Sequence, residues 1–143
     1  YPVISSETYF LRQHPDHDEA CSVLFVTLDV DGERVELCNV HFGNSDLFAD
    51  LHMNELMDVC EERRVKPVIL GDFNHFNLAV YKDSRLKDYV LSTDIADYES
   101  MPKNDGTLDY IVAPKDVYSM KGVVCPGEYV SDHRAVLATV EKN

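Results

Sequence analysis

Apolar and polar positions follow three rhythms along this chain, and each predicts a different kind of element. Residues 21–30 and 33–42 are rich in Val, Leu, Phe and Thr and are split only by Asp31-Gly32. Two such runs around Asp-Gly predict a hairpin closed by a type I′ turn. The opening Tyr1-Pro2-Val3-Ile4 is also apolar and strand-like. From 47 to 64 the rhythm changes. Ala49, Met53, Leu56 and Cys60 recur at helical spacing, with Asp50, Asn54, Asp58 and Glu61 on the other side. Asn44-Ser45-Asp46 supplies capping side chains, and Arg63, Arg64 and Lys66 suit the negative end of the helix dipole. This stripe reads as a core face and not as a cofactor box.

The third rhythm is an unbroken apolar run, Val68-Ile69-Leu70, which predicts a buried strand ended by Gly71. Residues 77–90 predict a short helix and 91–106 a mostly polar loop. Strands are expected at 107–113, 117–124 and 134–140. The order is hairpin, helix, strand, loop and then antiparallel-type strands. That is a mixed α/β chain, with a largely antiparallel sheet and one main helix packed on it.

Composition narrows the functional classes. With 143 residues and 45% hydrophobic content, the chain can bury a core and is not disordered. Its formal charge of -13 argues against a nonspecific nucleic-acid coat or an anionic-membrane binder. It leaves room for an enzyme that handles phosphate through a divalent metal, which brings its own positive charge. No apolar run approaches the ~18 residues of a membrane span. Cys21, Cys38, Cys60 and Cys125 are scattered in apolar stretches and read as reduced, buried residues, which leans towards a cytoplasmic setting. The apolar opening without an initiator methionine suggests a piece whose natural N-terminus, with any targeting signal, lies upstream.

Candidate chemistry sits at the ends of the predicted strands. Asp72 and Asn74 follow the buried run; one is an anionic proton acceptor and the other offers an amide N–H. Such a pair suits positioning water against a phosphate, although an Asx turn at a strand end would use the same residues. His41 closes the second hairpin strand. Asp109 interrupts an apolar run, where an unpaired charge is costly. Asp132 and His133 precede the last predicted strand, and His133 is a suitable partner for Asp109, since such pairing raises the imidazole pKa. His14-Pro15-Asp16-His17-Asp18-Glu19 could take up a metal adventitiously but reads better as a solvated turn. Singly, each residue has a structural reading as a cap, a core histidine or a loop carboxylate. Together they mark the rims of successive strands.

The order Asn-Val-His-Phe, Gly-Asp-Phe-Asn, Leu-Asp-Tyr-Ile and Ser-Asp-His resembles the endonuclease/exonuclease/phosphatase superfamily. That group includes deoxyribonuclease I, exonuclease III, neutral sphingomyelinases and inositol polyphosphate 5-phosphatases. The resemblance runs from Tyr1 to Val140 and implies half of a deoxyribonuclease I-like four-layer α/β sandwich. It implies metal-assisted phosphoester hydrolysis with Mg²⁺ or Mn²⁺. By resemblance, Asp72 orients and deprotonates water and Asn74 holds the phosphate. His133, paired with Asp109, contacts phosphate oxygens; Asp132 contributes to the metal site. His41 acts at the phosphate as in the deoxyribonuclease I and sphingomyelinase-like branches. The family's main metal-binding glutamate, in a Gln-Glu motif, and a supporting asparagine have no counterpart in this chain. The resemblance therefore implies the C-terminal part of a hydrolase domain, 1–143, inactive by itself and partnered by the missing N-terminal half. The alternative is an interaction module that keeps the fold without the metal centre. Nucleic acid, phospholipid and sugar phosphate all remain open as substrates. The sheet face that the missing half would cover is expected to be apolar, and either to self-associate or to be covered by a rearranged segment.

Overall fold

The Asp31-Gly32 turn closes a hairpin with φ of 54° and 89° at its two residues, as a type I′ turn requires. The computed structural model describes residues 1–16, 19–127 and 131–143; His17 and Asp18 of the acidic His14–Glu19 loop lie outside the described residues. The hairpin strands are β2 (Ser22–Val30) and β3 (Glu33–His41), with β1 (Val3–Phe10) antiparallel on the outer side of β2. Helix α1 (Asp46–Arg63) begins where the Ser45 hydroxyl accepts from the Phe48 amide at 3.3 Å. It ends at Arg64, which is left-handed at φ 55°. The chain then returns as β4 (Val68–Asp72), parallel to β3.

β5 (Tyr89–Leu91) and β6 (Asp109–Pro114) complete a six-stranded sheet in the order β1-β2-β3-β4-β6-β5. Among the described residues, β7 (Tyr118–Val124) and β8 (Leu137–Lys142) pair only with each other. This is the expected mixed, mostly antiparallel sheet with one main helix. One face of it carries Val23, Phe25, Cys38, Val40, Ile69 and Val112 against Ala49, Met53, Leu56 and Cys60 of α1, all nearly inaccessible. Burying each such Val, Ile, Leu or Phe contributes about 1.5–3 kcal/mol, which makes this the main core. On the other face Val35, Leu37, Val68, Ile111 and Ala113 meet Tyr118, Met120, Ala138 and Val140 of the β7–β8 hairpin.

Four expectations are corrected. Gly71 does not end β4; the strand runs through it to Asp72. Its φ is +131°, and a Cβ there would run into the Val40 carbonyl oxygen of β3. The glycine permits a close parallel approach and is no breaker. Residues 77–90 are not an α-helix but a 3₁₀ turn at Leu78–Tyr81 followed by turns into β5. There Leu78, Tyr81, Leu86 and Tyr89 are buried by packing into the main core. The last strand starts at Leu137 and not at 134, so His133 sits in a loop. Of the cysteines, Cys38 and Cys60 are buried while Cys21 and Cys125 are only half-buried, and all are free.

Candidate active site

Register alone brings three of the expected side chains into a row. In the parallel pair β3–β4, His41 stands opposite Asp72. In the antiparallel pair β4–β6, Asp72 stands opposite Asp109. Paired residues on adjacent strands put their side chains on the same face. His41, Asp72 and Asp109 therefore line one rim of the sheet, at the C-terminal ends of β3 and β4. His133 arrives from the loop before β8. Its neighbour Arg134 donates its backbone N–H to the Ser100 carbonyl at 2.7 Å. The Ser100 hydroxyl in turn accepts from the amides of Leu108 and Asp109, both at 3.0 Å. Ser100 is fully buried and links the His133 loop to the start of β6 and the residue before it.

The four side chains close on one another. His133 Nδ1 lies 2.8 Å from Asp109 Oδ2, and its Nε2 lies 4.0 Å from Asp72 Oδ2. His41 Nε2 stands 3.6 Å from the same Asp72 oxygen, with a largely exposed ring. Asn74 lies beyond the strand and reaches this rim through a left-handed backbone at φ 48°. The Asp72 carboxylate accepts from the Asn74 backbone N–H at 2.8 Å, so the pair does form an Asx turn. The Asn74 side-chain amide donates one hydrogen to the Phe42 carbonyl at 2.8 Å, which leaves the second for a ligand. Beneath it, inaccessible Phe73 makes edge-on contacts with Phe42 and Tyr110, at 5.4 and 5.7 Å between centroids. The loop is thus seated on aromatic packing.

Electrostatics separate the roles these groups can take. Burial is the main force raising the Asp72 pKa, and nearby Asp109 adds to it against the Asn74 amide and the two histidines. Asp72 is consequently a better proton acceptor than an ordinary aspartate. Burial disfavours charge on His133, but the hydrogen bond and charge of Asp109, helped by Asp72 and Asp132, prevail and its pKa is raised. That favours the cationic, donating form of His133 beside the rim. Asp132 is exposed, and the Ser131 hydroxyl keeps its pKa low.

These residues open onto a cavity of about 560 Å³ lined by His41, Asp72, Asn74, Asp132 and His133. Carboxylates of Glu19 and Asp46 and amides of Asn44 and Asn104 face it too. Hard oxygen donors of this kind suit Mg²⁺ or Mn²⁺, and no cysteine lines the cavity to favour a softer metal. Among the described residues, the ligand atoms that lie within 4.8 Å of one another belong to Asp72, Asp109 and His133. Asp132, the residue expected to contribute to the metal site, lines the same cavity without joining that group.

Several supporting residues carry no sequence signal. Ser100 lies in a polar stretch that reads as loop. His75 is buried, with Nε2 3.4 Å from Asp50 Oδ1 on α1, so it ties the Asp72–Asn74 loop to the helix. Only its place next to Gly-Asp-Phe-Asn could have drawn attention to it.

No protein-family model matches this chain, and no curated protein does. Solved structures do match its fold. A functionally unknown conserved protein from Enterococcus faecalis V583 superposes with a TM-score of 0.80 at 15% identity, over 99% of this chain and 67% of that one. The human Nocturnin catalytic domain with bound sulfate gives 0.74 at 16% identity, over 99% and 60%. An endonuclease/exonuclease/phosphatase from Bacteroides vulgatus gives 0.75 at 18% identity, over 99% and 66%. The chain has the fold of endonuclease/exonuclease/phosphatase proteins, and it spans 60–67% of the length of these structures.

Proposed function

We propose that this chain carries the phosphate-handling rim of a divalent-metal-dependent phosphoester hydrolase. The observation that supports it best is the row His41–Asp72–Asp109 with His133 hydrogen-bonded to Asp109 at 2.8 Å. An interaction module has no physical use for an imidazole pinned between the carboxylates of Asp109 and Asp72. In this reading the Asp72 carboxylate takes a proton from water as its oxygen attacks phosphorus. The phosphorus–oxygen bond to the leaving group breaks as that bond forms. His133, held by Asp109, and the free amide hydrogen of Asn74 donate to the non-bridging oxygens, where charge develops. His41, 3.6 Å from Asp72, returns a proton to the departing oxygen. Asp132, on the wall of the same cavity, would contribute to holding Mg²⁺ or Mn²⁺, which supplies Lewis-acid stabilisation of the phosphoryl oxygens when bound.

Residues outside this chain belong to the proposal as well. A glutamate carried by the rest of such a domain would complete the metal site, because Mg²⁺ sites have no spare ligands. The apolar face that holds Leu24, Leu28 and Leu70 would pack against that other part, or against a second copy in its absence. The chain alone is then inert. The test is EDTA-sensitive cleavage of bis-p-nitrophenyl phosphate by this chain and by the same chain joined to its upstream sequence. Activity in the longer protein only, lost in Asp72→Ala, is expected. Equal rates in both would refute the incompleteness, and metal-independent or absent cleavage in the longer protein would refute the hydrolase reading.

A further inference from the structure

Next to the rim the cavity has a wall of a different character. Phe76, two positions after Asn74, is 50% exposed and lines the cavity together with Met101 and Leu108. Its ring rests on Gly106, where a built Cβ would stand 2.5 Å from Cδ1 and 2.6 Å from Cε1. Only a glycine allows the ring this seat. Gly106 belongs to a closed turn in which Met101 and Gly106 exchange backbone hydrogen bonds, at 2.9 and 3.3 Å. The Tyr110 hydroxyl lies 3.0 Å from both the His75 and Thr107 carbonyl oxygens. One hydroxyl thus ties the residue before Phe76 to the residue after Gly106. The backbone on either side of the ring's seat is tied, and Phe76 itself stays 50% exposed.

The charge of the same cavity disfavours one class of ligand. Among its described lining residues are Glu19, Asp46, Asp72 and Asp132, with no lysine or arginine. A polynucleotide needs such cations along its track to neutralise successive phosphates. Here the described lining offers four carboxylates and no such cation to phosphates beyond the one at His133, on a chain of formal charge -13.

We infer that this site takes a small ester bearing a single phosphate, whose leaving group is a ring seated against Phe76, and does not take a polynucleotide. The inference rests on the phosphoester reading above and adds the substrate class. Ring stacking on an aromatic face strengthens binding by about tenfold.

The test is an NMR titration, in MgCl₂, of the longer protein assayed above with inorganic phosphate, phenyl phosphate and a single-stranded DNA dodecamer. Inorganic phosphate is expected to shift the His133 and Asn74 signals, and phenyl phosphate to do so at about tenfold lower concentration. Phe76→Ala should bring phenyl phosphate down to the level of inorganic phosphate, Phe76→Tyr should restore the advantage, and the dodecamer should bind more weakly than phenyl phosphate. Gly106→Ala, which displaces the ring while leaving it in the chain, should also remove the advantage. Phenyl phosphate binding no tighter than phosphate, an advantage that survives Phe76→Ala, or tighter binding of the dodecamer would each overturn this inference and leave the hydrolase reading standing. Failure of inorganic phosphate to shift the rim signals would instead overturn the hydrolase reading, and this inference with it.

Discussion

The two faces of the central sheet carry comparable side chains and are used differently. On the helix side, Val23, Cys38, Val40, Ile69 and Val112 are between 0 and 2% exposed, sealed by α1 and the aromatic packing around Phe73. On the hairpin side, β7–β8 covers the end near Val68 and Ala113, Leu24 stays 40% exposed, and a cavity of about 360 Å³ remains next to Leu37, Leu70 and Ile111. Stability resides on the closed face. The open face ends in the His41–Asp72–Asp109 rim, where a ligand can enter. A site that must bind and release needs a side that is not packed shut, and the strands that build both sides supply rigidity from the other.

The comparison can be broken at the floor the two faces share. Gly71→Ala should have the largest effect, because its methyl group would meet the β3 backbone. A loss of more than about 4 kcal/mol is expected, read from the urea midpoint, with the parallel pairing to Val40 disrupted. A mild loss would mean that the two strands can separate without cost. Leu56→Ala on α1 comes next, at about 2–5 kcal/mol, since Leu56 is fully buried in the closed core.

The rim itself should respond in the opposite direction. The folded-state pKa of Asp72 is raised, mainly by burial. The folded chain thus holds that proton more tightly than the unfolded chain, and the charged carboxylate costs stability once pH rises above the folded value. Asp72→Asn should therefore stabilise by about 0.5–1 kcal/mol at neutral pH and by nothing at a pH below the unfolded carboxylate range. In the cleavage assay proposed above, the same substitution should lower hydrolysis by about 10²–10⁴-fold. Thermal melts at two pH values check the first part; a gain that persists in acid would contradict it. Leu24→Ala should be smallest, within about 0.5 kcal/mol, while lowering any self-association seen by light scattering. If it cost as much as Leu56→Ala, the open face would be a second closed core and the comparison would fail.

Much of this was legible in the residues. The Asp-Gly hairpin, the capped helix with its Ala49–Met53–Leu56–Cys60 stripe and the apolar run into Asp72 all rest on neighbours within a few positions. Asp109 and His133 stood out because charged or titratable groups beside apolar runs need partners. Local pattern could not decide which strands lie side by side, whether Gly71 ends β4 or lets it touch β3, or whether 78, 81, 86 and 89 are buried by a helix or by turns. Each of those depends on surfaces brought together from far along the chain. His41, Asp72 and Asp109 become one row only through the parallel β3–β4 and antiparallel β4–β6 registers. Ser100, His75 and Phe76 matter only through what folding places against them. Periodicity within a strand determines which way a side chain faces, because that follows from the chain's own geometry. Its neighbours across the sheet are set by the packing free energy of the whole fold, and the site exists only there.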